Sequence, residues 1–249
     1  RGLGDVYKRQ AFVFNTLLAD KATDDRLRDY PTWITAWNQS NEASDESVQA
    51  LVDAVVARYD LPQRWYRLKA QVLGLDRLAD YDRSSSVAET NQHVAWEDAK
   101  ATVRDAYASF SDELASIVDR FYDEGWIDAP VRDNKRGGAF CAYTVPSHHP
   151  YVFLNYTATP GDVLTLAHEL GHAVHGYLSR PQGIFHQSTP LTLAETASVF
   201  GETVTFERLL DQTDDAGERF ALLAQQVEGN IATVFRQVAM NRFEEAVHT

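Results

Sequence analysis

Cysteine is nearly absent: Cys141 is the only one in 249 residues, so no internal disulfide can form and a cysteine-built metal cage is excluded. No window approaches eighteen consecutive apolar residues, which excludes a membrane-spanning helix. The N-terminus lacks the basic, apolar, small-residue order of a secretory signal. With the lone thiol, this gives a cytoplasmic expectation. Basic excess is lacking too. The net charge is −13, spread along the chain, and no basic surface suited to a phosphate backbone is offered, so a nucleic-acid role is not expected. Methionine occurs once, at Met240, and the chain stops at Thr249 inside an apparent helix. We therefore expect a fragment incomplete at both ends. Residues 1–10, RGLGDVYKRQ, show no helical apolar period and read as non-native or unstructured.

What is present is a core, with 44% hydrophobic residues. Helical periodicity dominates residues 11–130, the helical part of the expected domain. Val48, Leu51, Val52, Val55, Val56 and Tyr59 form one apolar stripe, with Ser44 placed to cap it. Asp60 and Pro62 open a second helix that Gly74 is placed to end. Two more are predicted, over 91–110 and 112–124, with Gly125 closing the latter. Residues 131–249 have a different texture. The β-prone runs Phe140 to Val145 and Tyr151 to Tyr156 predict a small antiparallel pair. Thr159-Pro160-Gly161-Asp162 then fits a capping box opening a helix to Ser179. Further helices are predicted over 192–211 and from 215 to the chain end.

His168-Glu169-Leu170-Gly171-His172 on that capped helix is a complete H-E-x-x-H. Four residues turn a helix through about 400°, so both imidazoles leave one face, one turn apart. Such a pair can share a zinc ion, and Glu169 beside it is placed to act as general base. A catalytic zinc takes a third protein ligand and leaves the fourth position for water. Position 178, where a third histidine of another zinc-peptidase pattern would fall, is Leu. The remaining candidates are Glu195, Glu202 and Glu207. Glu195 is best placed, but Thr192-x-x-Glu195 reads equally well as a capping box, and spacing alone does not decide. A structural zinc site would favour four Cys or His ligands, which the chain does not supply at suitable spacing. A non-catalytic peptide-binding module is the rival from another class, and the intact Glu169 speaks against it.

Beyond the five-residue motif, the run from Lys135 to His175, KRGGAFCAYTVPSHHPYVFLNYTATPGDVLTLAHELGHAVH, resembles the signature segment of the oligoendopeptidase F and thimet oligopeptidase family of zinc peptidases. LTLAETAS, from Leu191 to Ser198, is similar to the segment that supplies that family's third metal ligand, and the stretch from Arg64 to Arg83 resembles one that precedes its catalytic core. The resemblance implies a mainly α, multi-helix zincin-type catalytic domain, with a small antiparallel sheet beside the metal site. It implies one Zn2+ per chain on His168, His172 and Glu195, with Glu169 as base, and short unstructured peptides as substrates. It implies, too, that relatives place substrate-holding histidine and tyrosine residues in a C-terminal segment beyond position 249, so this chain alone is expected to hydrolyse poorly. His175, the third histidine of the motif, is expected beside the metal rather than on it. Ser198 and Glu202 share a helix face with Glu195 and are candidates to orient a ligand imidazole. His148 and His149 lie in a turn near the cleft, and Tyr151 opens a run expected to offer a free edge to an extended substrate. Gly201 inside a helix costs about 1 kcal/mol against Ala, which suggests close packing there.

Overall fold

The structure is a computed structural model that describes residues 3–88 and 92–249. In chain order the helices are α1 (Leu3–Leu27), α2 (Thr35–Ser40), α3 (Asp45–Val56), α4 (Asp60–Val72), α5 (Trp96–Phe110) and α6 (Asp112–Asp123). Strands β1 (Ile127–Pro130), β2 (Phe140–Ala142) and β3 (Tyr151–Tyr156) follow. Then come α7 (Pro160–Ser179), α8 (Leu191–Ala194), α9 (Thr196–Gln212), α10 (Ala216–Ile231) and α11 (Gln237–His248), with a π-helical stretch at Ala232–Arg236. The architecture is mainly α with one small sheet.

The chain divides into two compact units, Arg1–Ser85 with Gln225–Thr249, and Ser86–Ala224. These divisions differ from the change of sequence texture at residue 131. In sequence, residues 1–10 read as non-native or unstructured; of these, residues 3–10 are helical, lying in α1, and residues 1 and 2 are outside the described residues. In the first unit, Val52 and Val55 of α3 pack with Val238 of α11, flanked by Tyr59 and Phe235. Ser44 caps α3 as expected, its side chain accepting from Ser47 N at 3.1 Å. Lys69 of α4 is fully buried, and its ammonium donates to Glu228 Oε1 and to the Arg83 carbonyl.

The second unit holds a core built around α7. Val163, Leu166, Ala167, Leu170 and Ala173 of α7 are completely buried, together with Val103 of α5, Val118 and Phe121 of α6, and Leu154 of β3. A helix apolar on most of its circumference is an interior helix, and α7 packs against α5, α6, α9, β2 and β3. The sheet order is β1-β3-β2. β2 and β3 form the antiparallel pair that the two β-prone runs predicted, with Cys141 opposite Val152. β1 was not foreseen. It pairs parallel to β3, Ile127 opposite Val152, with an irregularity between Asp128 and Pro130. Four residues ending in proline carry little strand signal, and a parallel partner is set by tertiary contact, not by a turn. The ammonium of Lys135 helps hold the ends together, donating to the carbonyls of Asp128 (3.0 Å), Pro130 (3.0 Å) and Leu154 (2.7 Å). β3 is therefore the central strand. The expectation that Tyr151 to Tyr156 offers a free edge is wrong, because both its sides are already paired.

Two helix boundaries also shift. The helix expected from residue 91 starts at Trp96, and residues 89–91 lie outside the described residues. The helix expected over 192–211 is interrupted at Glu195, which ends α8 and begins α9 with φ −92° and ψ 1°. That sparsely populated backbone region is one in which active-site residues recur.

Candidate metal centre

The site begins with the start of α7. Thr159 Oγ1 accepts from Asp162 N (3.2 Å), and Asp162 Oδ2 accepts from Thr159 N (3.0 Å), Thr157 N (2.9 Å) and Thr157 Oγ1 (2.7 Å). Pro160 occupies the first turn. With the start fixed, helical geometry puts His168 and His172 on one face; their ring centroids are 4.9 Å apart and the planes lie at 82°.

Gly171 decides what faces them. A Cβ built on Gly171 would lie 2.4 Å from the Ala197 carbonyl oxygen and 2.5 Å from Ser198 Cα. α7 and α9 thus meet backbone to backbone, and any side chain at 171 would hold them apart. Gly201 does the same one layer away. Its missing Cβ leaves room for the Tyr107 hydroxyl, which donates to the Ala167 carbonyl at 2.9 Å. The helix glycine that looked costly in sequence is a packing seat.

This approach delivers Glu195. Its Oε2 lies 3.2 Å from His168 Nε2 and 3.3 Å from His172 Nε2. Ligands about 2.0–2.1 Å from a common tetrahedral centre sit about 3.3 Å from one another. The two Glu195–imidazole separations match that spacing, and all three ligand atoms lie within 4.8 Å of one another, a donor set suited to one metal ion. Among the described residues, His168, His172 and Glu195 are the group able to hold a metal in this way. The Thr192 capping-box alternative is not realised as such, since Pro190 occupies the N-cap of α8.

The surroundings assign the other candidates. His168 Nδ1 lies 3.1 Å from Glu202 Oε2. With the proton on Nδ1 donated to that carboxylate, Nε2 presents its lone pair to the common centre. The Glu202 hydrogen bond raises the His168 pKa above the ordinary imidazole range, against the effect of burial. His172 is lowered, chiefly by burial. Ser198 is fully buried and its hydroxyl meets Glu195, at 2.6 Å from Oε2 and 3.1 Å from the carbonyl, rather than an imidazole. Glu169 is buried, its Oε2 has no hydrogen-bond partner, and burial pushes its pKa up to about 7, with the charge of His168 opposing.

The remaining candidates are placed elsewhere. His175 sits edge-on to Tyr143, ring centroids 6.4 Å apart, with a buried Nδ1 lacking a partner. His149 stacks on Trp126 at 3.8 Å and its Nδ1 donates to the Pro150 carbonyl, while Tyr151 leans on the His149 ring. His148 pairs with Ser147. Glu207 lines a separate recess with Ser109 and Asp211. Sequence reasoning missed Gly171 and Gly176 as packing seats and Tyr143 as a neighbour of the centre. Glycines at helix-interior positions were the available signal.

A mainly helical unit in which an H-E-x-x-H helix and its neighbour converge two imidazoles and a carboxylate defines the class of site. The chain belongs to peptidase family M3, whose match spans residues 5–249. It is 30% identical over 210 residues to the group B oligopeptidase PepB of Streptococcus agalactiae, covering 84% of this chain and 35% of that protein. Against oligopeptidase PepF of Bacillus subtilis the figures are 30% over 230 residues, 90% and 34%. A solved structure from Chlamydophila abortus is 27% identical with a TM-score of 0.81, covering 96% of this chain and 40% of its own. The chain thus spans about a third of the length of these curated relatives.

Proposed function

We propose that this chain carries the catalytic centre of a zinc-dependent endopeptidase that hydrolyses short oligopeptides, with one zinc held by His168 Nε2, His172 Nε2 and Glu195. When bound, zinc supplies Lewis acidity toward a peptide carbonyl and lowers the pKa of a water toward neutrality. Glu169 accepts the proton of the attacking water and returns it to the leaving amine. Burial pushes the Glu169 carboxyl up to about 7 in the metal-free site, and the positive charge of a bound zinc would draw it back down, keeping the group ionised to accept that proton. Glu202 holds the Nδ1 proton of His168, and Ser198 keeps Glu195 aimed. The free strand edge beside α7 is that of β2, which makes it, rather than β3, the candidate for main-chain pairing with substrate. A cytoplasmic setting is part of this proposal, supported by the lone free Cys141; no described helix is long and apolar enough to cross a membrane. Membrane and nucleic-acid partners form no part of this reading.

The near-equal distances from Glu195 Oε2 to the two imidazoles carry the assignment. Metal analysis and competitive chelation should find one zinc in the wild-type chain and a loss of affinity of at least about 10- to 100-fold in Glu195→Ala. Unchanged stoichiometry and affinity in that variant would refute the ligand set.

A further inference from the structure

Tyr143 is the first residue after β2, the edge strand packed on α7. Its ring lies on Gly176: a Cβ built there would meet Cδ1, Cε1 and Cγ at 2.7, 2.8 and 2.9 Å. Gly176 follows His172 by one helical turn and His168 by two, so the ring continues the face from which both imidazoles project. The phenol lies within electrostatic reach of Glu195. Its direction is fixed by the residue that follows. Thr144 adopts φ +61°, a costly conformation for a β-branched residue. It is held there from two sides. Its hydroxyl is shared between the carbonyls of Tyr143 (2.6 Å) and His149 (3.1 Å), and its own carbonyl accepts from Gln187 Nε2 (3.2 Å). Gln187 is only 3% exposed, and its backbone carbonyl is bonded by Ser179 Oγ at 2.9 Å.

Packing alone would be served by phenylalanine. Tyr143 is partly buried, and a phenol hydroxyl withdrawn from water is costly unless it finds an acceptor. We propose that Tyr143 contacts the peptide at the metal centre, its ring walling the site and its hydroxyl donating a hydrogen bond to a substrate main-chain carbonyl. The assignment rests on the metallopeptidase reading above. Burial, with smaller contributions from Cys141 and Glu195, pushes the phenol up to about 12, so it stays a donor at every pH at which the centre would work.

The test uses the zinc-loaded chain and two probes, a dipeptidyl hydroxamate and acetohydroxamate, titrated calorimetrically into wild type and Tyr143→Phe. The variant keeps the ring that packs on Gly176. Zinc stoichiometry and acetohydroxamate affinity should be unchanged, while the dipeptidyl probe binds about three- to tenfold more weakly, the loss of one hydrogen bond to a neutral acceptor. Equal dipeptidyl affinity in the two proteins, or no affinity for it in either, overturns the role of Tyr143. A wild-type chain that takes up no zinc overturns the metal-centre reading itself, and this proposal with it.

Discussion

Glu202 lies seven residues beyond Glu195, and its carboxylate meets His168 Nδ1, the nitrogen opposite the one facing the common centre. Removing it leaves His168 free to rotate and to place its proton on the wrong nitrogen, so Glu202→Ala should weaken zinc binding by about 10- to 100-fold, with Glu202→Gln recovering part of the loss by keeping an acceptor. Competition with a chromogenic chelator measures both; wild-type affinity in Glu202→Ala would show the contact to be incidental. At this scale the sequence was uneven. The juxtaposition of His168 and His172 on one helix face was legible because a five-residue motif on a helix fixes its own geometry. Glu195 was undecided on spacing and rested on family resemblance, because its placement depends on how two helices cross. Ser198 was read as a partner of an imidazole and proved to be one of the carboxylate.

Between elements, the α7–α9 crossing does the placing. Gly171→Ala puts a methyl carbon where Ala197 O and Ser198 Cα now stand, within 2.4 and 2.5 Å, so the backbones must part. Overpacking of this kind costs about 1–3 kcal/mol. The displacement falls on Glu195, two residues before Ala197. Gly171→Ala should therefore lose zinc affinity even where circular dichroism shows the helices intact, and retained affinity would mean the crossing does not set the site. The start of α7 gives a pH-dependent counterpart. Asp162 is partly desolvated, which acts upward, but hydrogen bonds from Thr159 and Thr157 outweigh this and lower its pKa. A depressed native pKa contributes stability fully present above the ordinary carboxylate range and lost as pH falls through the native value. Asp162→Ala should cost about 1 kcal/mol at neutral pH, as for a lost helix cap. In denaturant titrations across acid pH the gap to wild type should close, and a gap constant with pH would refute the ionic part. The capping box was readable because it is written in four adjacent residues. The third strand was not, since Ile127–Pro130 finds its partner only once the chain has folded.

At the scale of the whole molecule, local pattern predicted most helices, while the long-range pairings inside each unit escaped it. In the first unit the hydrophobic contribution comes from a small cluster, Val52, Val55 and Val238 with Tyr59 and Phe235. The most buried charge there is Lys69, joined to Glu228 across 159 positions of sequence. Trp65 Nε1 donates to the same Glu228 oxygen at 3.2 Å. No periodicity argument reaches over that separation, and Lys69 alone reads as an ordinary helix-surface lysine. An ammonium with no exposure needs its counter-charge, because breaking a buried pair leaves one ion without water or partner. Glu228 is itself one-third exposed, so the cost belongs at the low end of the range for such pairs. Glu228→Leu should lower stability by about 3 kcal/mol, whereas Lys69→Met with Glu228→Leu should recover most of the loss, since an apolar pair of similar volume removes the stranded charge. Guanidinium unfolding followed by tryptophan fluorescence distinguishes the cases. If the double variant is no more stable than the single one, the pair is held by shape and not by charge, and Lys69 buries its ammonium for some other reason.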